Sequence, residues 1–217
     1  MRYLLFSCSL FFLMSFFHAK GQMFPTIQNQ PISSEYWHDG EIDLEDSETL
    51  RGRIKYDIST DNLQYVNGNI IKSFHAEKVL SFQITDAITH KQRNFYSLPF
   101  KNENNYVKKH FFELLYEDKV SLLAREKVVE RIRNLGNPYS IYGTTTVRYY
   151  TVEYDYFLVD EKGEIVFVQK LKAKDVPTYF KFHQHKLREY IEKENLKFDK
   201  QDDMILLVKY YNLLVGS

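Results

Sequence analysis

Three groupings in this chain bring together residue types that can do chemistry. Residues 39–48, DGEIDLEDSE, hold six carboxylates and no base, and carboxylates at that density are the raw material of a calcium site. His183-Gln184-His185 places two imidazoles one residue apart, a spacing that can chelate a metal when alternate residues share a strand face. Tyr139, Tyr142, Tyr149, Tyr150, Tyr154 and Tyr156 crowd one stretch. Aromatic rings in a row can stack on sugar rings, so these six form the candidate ligand surface.

Each grouping also has a plainer reading. The acidic run lacks the EF-hand order, and pairing residues 41–45 antiparallel with residues 51–55 neutralises it locally. With Ile42 opposite Ile54, Glu41 meets Lys55, Asp43 meets Arg53 and Glu45 meets Arg51, each pair contributing roughly 0.2–1 kcal/mol. The pattern around the two histidines is helical, and two residues turn a helix by about 200°, which predicts a packed His183 and an exposed His185. Tyr150, Val152, Tyr154, Tyr156 and Leu158 alternate onto one face, as on a strand packed against a core. His38, His75, His90 and His110 lie in separate segments. Glu113 and Glu117 carry nothing that singles them out as a glycosidase pair, and no serine elbow or phosphate-cradling glycine loop occurs. The reading is therefore of a protein that is not an enzyme, with no cofactor and no metal.

The elements that position these residues begin with an address. Arg2, an apolar run at residues 4–17 and small residues at 19 and 21 form an export signal over residues 1–21, cleaved before Gln22. The run is short for a bilayer span, and no later apolar stretch approaches the roughly 20 residues required. Cys8, the only cysteine, leaves with the signal, so the mature chain relies on burial rather than disulfides. Its place within the apolar run argues against a lipid-modified cysteine. Of 29 bases and 29 acids, Arg2 and Lys20 depart and no acid does, leaving 27 against 29. Such a balance disfavours nucleic acid and anionic membrane as partners.

After the signal, residues 22–40 hold two prolines and many polar side chains and read as a flexible leader. Residues 41–174 read as an antiparallel β-rich domain. Alternation at 41–45 and 51–58 gives two strands, Asn67-Gly68 a two-residue hairpin turn, and Leu80, Phe82 and Ile84 another strand. Residues 94–100 add one limited by Pro99. Residues 110–116 and 120–124 make a hairpin around Glu117-Asp118-Lys119, with residues 126–133 turning helical and a loop at 134–138. A long hairpin joins 148–160 to 165–170 through Gly163. Residues 175–217 form a helical pair packed on the sheet. Its first helix carries Phe180, His183, Leu187, Tyr190 and Ile191, with Asp175 as cap and Pro177 in the first turn. The second runs from about Asp202 with Leu206, Leu207, Tyr210, Tyr211 and Leu214 on one face.

The segments Gly52-Arg53-Ile54-Lys55-Tyr56-Asp57, Ser73-Phe74-His75-Ala76-Glu77-Lys78-Val79 with Phe82, Phe111-Phe112-Glu113-Leu114-Leu115-Tyr116 with Leu122-Leu123, and Tyr210-Tyr211-Asn212 carry a resemblance. Through them the chain resembles a group of small exported β-rich proteins of Gram-negative bacteria with no assigned function. That resemblance implies a recurring exported module and brings no catalytic residues. The expected fold class is α+β, mostly β: an antiparallel meander or sandwich-like sheet followed by two C-terminal helices. The expected function is that of an exported envelope protein, periplasmic, outer-membrane associated or extracellular. It would act as a non-enzymatic binding or structural accessory, its partner an envelope protein or a glycan. The alternative is a glycan-binding module or hydrolase that uses the tyrosine surface.

Overall fold

The computed structural model describes residues 32–101, 105–135, 145–168 and 175–216. Ten strands form one antiparallel sheet: β1 (His38–Leu44), β2 (Thr49–Asp57), β3 (Asn62–Asn67), β4 (Ile70–His75), β5 (Val79–Thr85), β6 (Gln92–Lys101), β7 (Val107–Tyr116), β8 (Ser121–Leu135), β9 (Thr145–Val159) and β10 (Ile165–Val168). Spatially they run β10-β9-β8-β7-β6-β5-β1-β2-β3-β4. Among the described residues three α-helices follow, α1 (Val176–Tyr179), α2 (Gln184–Glu194) and α3 (Gln201–Gly216). The expected class, α+β and mostly β with helices last, is the one observed.

The sheet cannot be flat. Only a 3-10 turn, Ala76–Lys78, joins β4 to β5, and four residue steps reach about 14 Å at most. In the sheet order those strands stand four places apart, about 19 Å if flat. The β5-β1-β2-β3-β4 portion must therefore curl, and its packing shows it: the ring of Tyr56 on β2 lies within 5.7 Å of Phe82 on β5, Phe95 on β6 and Phe111 on β7. Phe82 and Phe95 stack at 4.4 Å. Curvature leaves no room for side chains at two facing glycines. Gly40 pairs with Gly52, and a Cβ on Gly40 would stand 2.2 Å from the Gln83 carbonyl oxygen.

One face of the sheet carries two apolar cores. Ile42, Ile54, Leu63, Phe82, Phe95 and Phe111 fill the curled half. Leu122, Ala124, Tyr156 and Leu158 of β8 and β9 receive Leu187, Ile191, Met204 and Leu207 from the helices. Asn212 fastens α3 in place, its amide donating to the Val120 carbonyl (2.8 Å) while its oxygen accepts the Val120 N–H (2.9 Å). On the reverse face Phe112, Leu123 and Phe157 form a third, aromatic cluster.

Several expectations need correction. Residues 32–40 are built into the fold rather than forming a leader: Ile32 is buried and β1 begins at His38; residues 22–31 lie outside the described residues. The β1–β2 register sets Glu41 opposite Arg51 and Ile42 opposite Leu50. The turn closes two residues earlier than expected because Ser47 adopts φ 70° and the Asp46 carboxylate accepts the Glu48 N–H. An even shift keeps every side chain on its expected face but leaves only Glu41–Arg51 (2.7 Å) as an ion pair within this hairpin. Asp43 accepts instead from Thr49 and Ser81, and Glu45 pairs with Lys109 of β7.

The third hairpin also slips by one. Asn67 pairs with Ile70, so Gly68 (φ 57°) and Asn69 make the turn, with Gly68 supplying the positive φ. Gly163 (φ 79°) serves its turn as expected. Residues 126–133 are strand, not helix, paired residue by residue with β9 through to Leu135↔Thr145. That strand takes in Asn134 and Leu135 of the expected loop; its remainder, 136–138, lies outside the described residues. The first expected helix breaks at residues 180–183, where His183 takes φ 56°, leaving one turn of α1 and then α2. His183 and His185 are both exposed. On α3 the buried stripe is Met204, Leu207, Val208 and Tyr211, with Leu206 exposed.

Candidate functional site

Between the two cores, on the same face, strand alternation places charge where apolar side chains would continue them. Arg93 stands two residues before Phe95, Glu113 two after Phe111 and Glu126 two after Ala124, so each points with the core residues of its strand. Arg93 binds Glu113 with two parallel bonds, Nε to Oε1 at 2.8 Å and Nη2 to Oε2 at 2.7 Å. The same Nη2 donates to Glu126 at 2.7 Å, and Nη1 lies 3.5 Å from Asp86. These side chains are between 3% and 12% exposed, so three carboxylates share one cation out of water.

Two loops complete the cluster. Asp86 caps the β5–β6 turn by accepting the Ile88 and Thr89 N–H groups with one oxygen. Its other oxygen accepts the Ser33 hydroxyl at 2.5 Å. Ser33 is held there by His38, which is 1% exposed. The Ala87 N–H donates to His38 Nδ1 at 2.9 Å, which leaves Nε2 to carry the proton that it donates to the Ser33 carbonyl, also at 2.9 Å. A neutral imidazole thus clips the N-terminal segment to the β5–β6 turn.

Electrostatics follow from the crowding. Burial works to raise the Asp86 carboxyl, but the Ser33 hydroxyl, the Thr89 and Ile88 amides and Arg93 outweigh it and hold it well below the carboxylate range. Burial also opposes the Arg93 charge, yet the bonds and charge of Glu113, then the charge of Glu126, fix the guanidinium as a cation. Glu126 goes the other way: burial, with the charge of Glu113, lifts it above the usual range despite Arg93. Tyr154, whose hydroxyl donates to Glu126 at 3.3 Å, is pushed up to about 12 by burial and by the Glu126 charge.

This cluster floors a cleft of 1030 Å³. It is lined by Tyr149, Tyr150, Val152 and Tyr154 of β9, by Asp202 and Ile205 of α3, and by Thr89 and Lys91 of the β5–β6 turn. Of the six expected tyrosines, three border the cleft. Tyr150 is 46% exposed and Tyr154 half-buried. Tyr156 is core, 5% exposed and stacked on Tyr154; Tyr139 and Tyr142 lie outside the described residues. Beyond Ala124 and Tyr156, β8 and β9 pair only with each other among the described residues. The cleft wall is therefore the root of a two-stranded arm roughly 30 Å long.

A second polar cluster lies apart from the cleft. Asp61 accepts the Tyr56 hydroxyl at 2.7 Å, contacts His110 Nδ1 at 2.7 Å and lies 3.4 Å from Arg125. It ties the β2–β3 turn across the curl to β7 and β8, a structural task. No protein-family model, curated protein or solved structure matches this chain.

Proposed function

We propose that the protein is an exported cell-envelope module that binds, without transforming, a ring-bearing and hydroxyl-rich ligand of the glycan class in the cleft beside β9. Its address rests on residues 1–21 and on the resemblance to exported proteins of Gram-negative bacteria. One observation carries the binding reading: Tyr150 and Tyr154, which share one face of β9, meet Asp86, Glu113 and Glu126 on a single cleft. Apolar ring faces beside converging acceptors are what a sugar, with its C–H face and its hydroxyl edge, requires. A non-enzymatic role is favoured because Arg93 holds both oxygens of Glu113, and Arg93 and Tyr154 hold one oxygen of Glu126, which ties both carboxylates into the protein's own network. Titrating the protein with a panel of envelope oligosaccharides tests this. Tyr150→Ala should weaken binding about tenfold, and a panel without a single binder overturns the proposal.

A second reading has one observation behind it. Glu113 and Glu126 each set an oxygen 2.7 Å from the same Arg93 nitrogen, so those oxygens are no more than twice that distance apart, compatible with the roughly 5 Å carboxyl separation of retaining glycosidases, and Glu126 is the one with the raised pKa, as a general acid needs. Release of chromophore from nitrophenyl glycosides, abolished in Glu126→Gln, would establish that reading.

A further inference from the structure

We propose that the outward face of α3 is a dimer seam, on which a second copy of this chain lies antiparallel across a two-fold axis; the proposal is independent of what the cleft binds. A helix with one face in water carries polar residues there, and a helix that is apolar all round is covered on every side. Between residues 204 and 215, α3 carries one charge, Lys209. Its buried stripe of Met204, Leu207, Val208 and Tyr211 packs on the sheet side, whereas Leu206 and Leu213 stand 43% and 64% exposed. Seven residues are two turns, so the two leucines lie on one line of the helix, together with the exposed Asp202, Lys209 and Gly216. The ring of Tyr210, stacked on Tyr190 of α2 at 4.0 Å, stiffens the flank of that line.

The line is its own complement. Leu206 and Leu213 are symmetric about the middle of α3, so a reversal between Lys209 and Tyr210 lays Leu206 on Leu213 of a second copy and the converse. Charge selects the same direction. Asp202 stands at the N-terminal end of the line, and a Cβ on Gly216 would lie 3.9 Å from Lys119 Nζ, which puts a cation at the C-terminal end. Neither Asp202 nor Lys119 has an ion-pair partner among the described residues. Antiparallel pairing sets Asp202 beside Lys119 of the second copy, and the two-fold makes that pair twice; parallel pairing would set Asp202 beside its own copy. It also lays each helix N-terminus against the other's C-terminus, the favourable arrangement of two helix dipoles. Lys209 meets its own copy at the axis, and two single helices cover less than the roughly 800 Å² per partner of a standard interface. The association is therefore weak, with a Kd of about 10–100 µM.

Sedimentation equilibrium from about 5 µM to about 1 mM tests the seam, since mass action must populate a weak dimer across that range. Leu206→Gln combined with Leu213→Gln, two exposed positions that leave the core intact, should weaken the dimer at least about tenfold while the melting curve of the dilute protein stays unchanged. Asp202→Lys alone and Lys119→Asp alone should each weaken it about tenfold, and the two together should return it to within about threefold of the wild type, because the exchange rebuilds both ion pairs. Monomer mass at every concentration overturns the proposal. So does a dimer indifferent to the leucine variant, which must use another surface, and so does an exchange variant that stays dissociated, which removes the antiparallel two-fold.

Discussion

Arg93→Met would leave Asp86, Glu113 and Glu126 buried without a cation, and the expected loss is about 3–5 kcal/mol in urea unfolding. Adding Glu113→Gln and Glu126→Gln to that variant should restore much of it, since the stranded charges are then gone; failure of the triple variant to recover would mean that Arg93 acts through packing, as over the Phe95 ring. Glu126 alone gives a pH signature. Its carboxyl is raised in the fold above the ordinary 4.5, so the stability it lends is fully present below that value and is lost as pH rises through the folded value. Glu126→Gln should therefore melt increasingly above the wild type between about pH 4.5 and 7, and parallel curves would refute the assignment. The sequence held a signal for these residues: Arg93, Glu113 and Glu126 each keep step with the apolar positions of their strands. Glu113 is set aside together with Glu117 in the sequence because a carboxylate is informative only once a partner is known, and the partners stand on neighbouring strands. Ser33 and Asp86 arrive on turns, where no period exists to mark them.

At the level of elements, strand alternation, the turn at Gly163 and the late helices were legible, because periodicity and left-handed positions are local. Registers were less so. The β1–β2 turn depends on Ser47 in the left-handed region, which few sequences announce, and the outcome gave Glu41, Asp43 and Glu45 each a new partner. Two glycines separate space from conformation. Gly40→Ala must displace the Gln83 carbonyl in the curled sheet and should cost about 3 kcal/mol. Gly68→Ala meets nothing within 4 Å and carries only its positive φ, so about 1 kcal/mol is expected. Equal losses in chemical denaturation would mean that the curl relaxes around Gly40.

Across the whole molecule, two apolar cores occupy one face of one sheet and a charged stripe divides them. That division explains why a large cleft exists at all: helices cover one core, the curl closes on the other, and the cleft lies over the charged stripe between. Phe82→Ala in the curled core and Leu207→Ala in the helical core should each remove about 3–4 kcal/mol. Because the sites share no neighbours, the double variant should lose the sum within about 0.5 kcal/mol. A marked departure, or two separate transitions, would show the halves melting as distinct units.

The His38 clip bears on how the molecule must be handled. Since Ile32 and Ser33 border the cleft, a label carried on those residues sits at its rim, whereas α3 ends at Gly216 near Lys119 in the β7–β8 turn. Affinity tags, fluorophores and surface tethers for binding measurements therefore belong at the C-terminal end of α3.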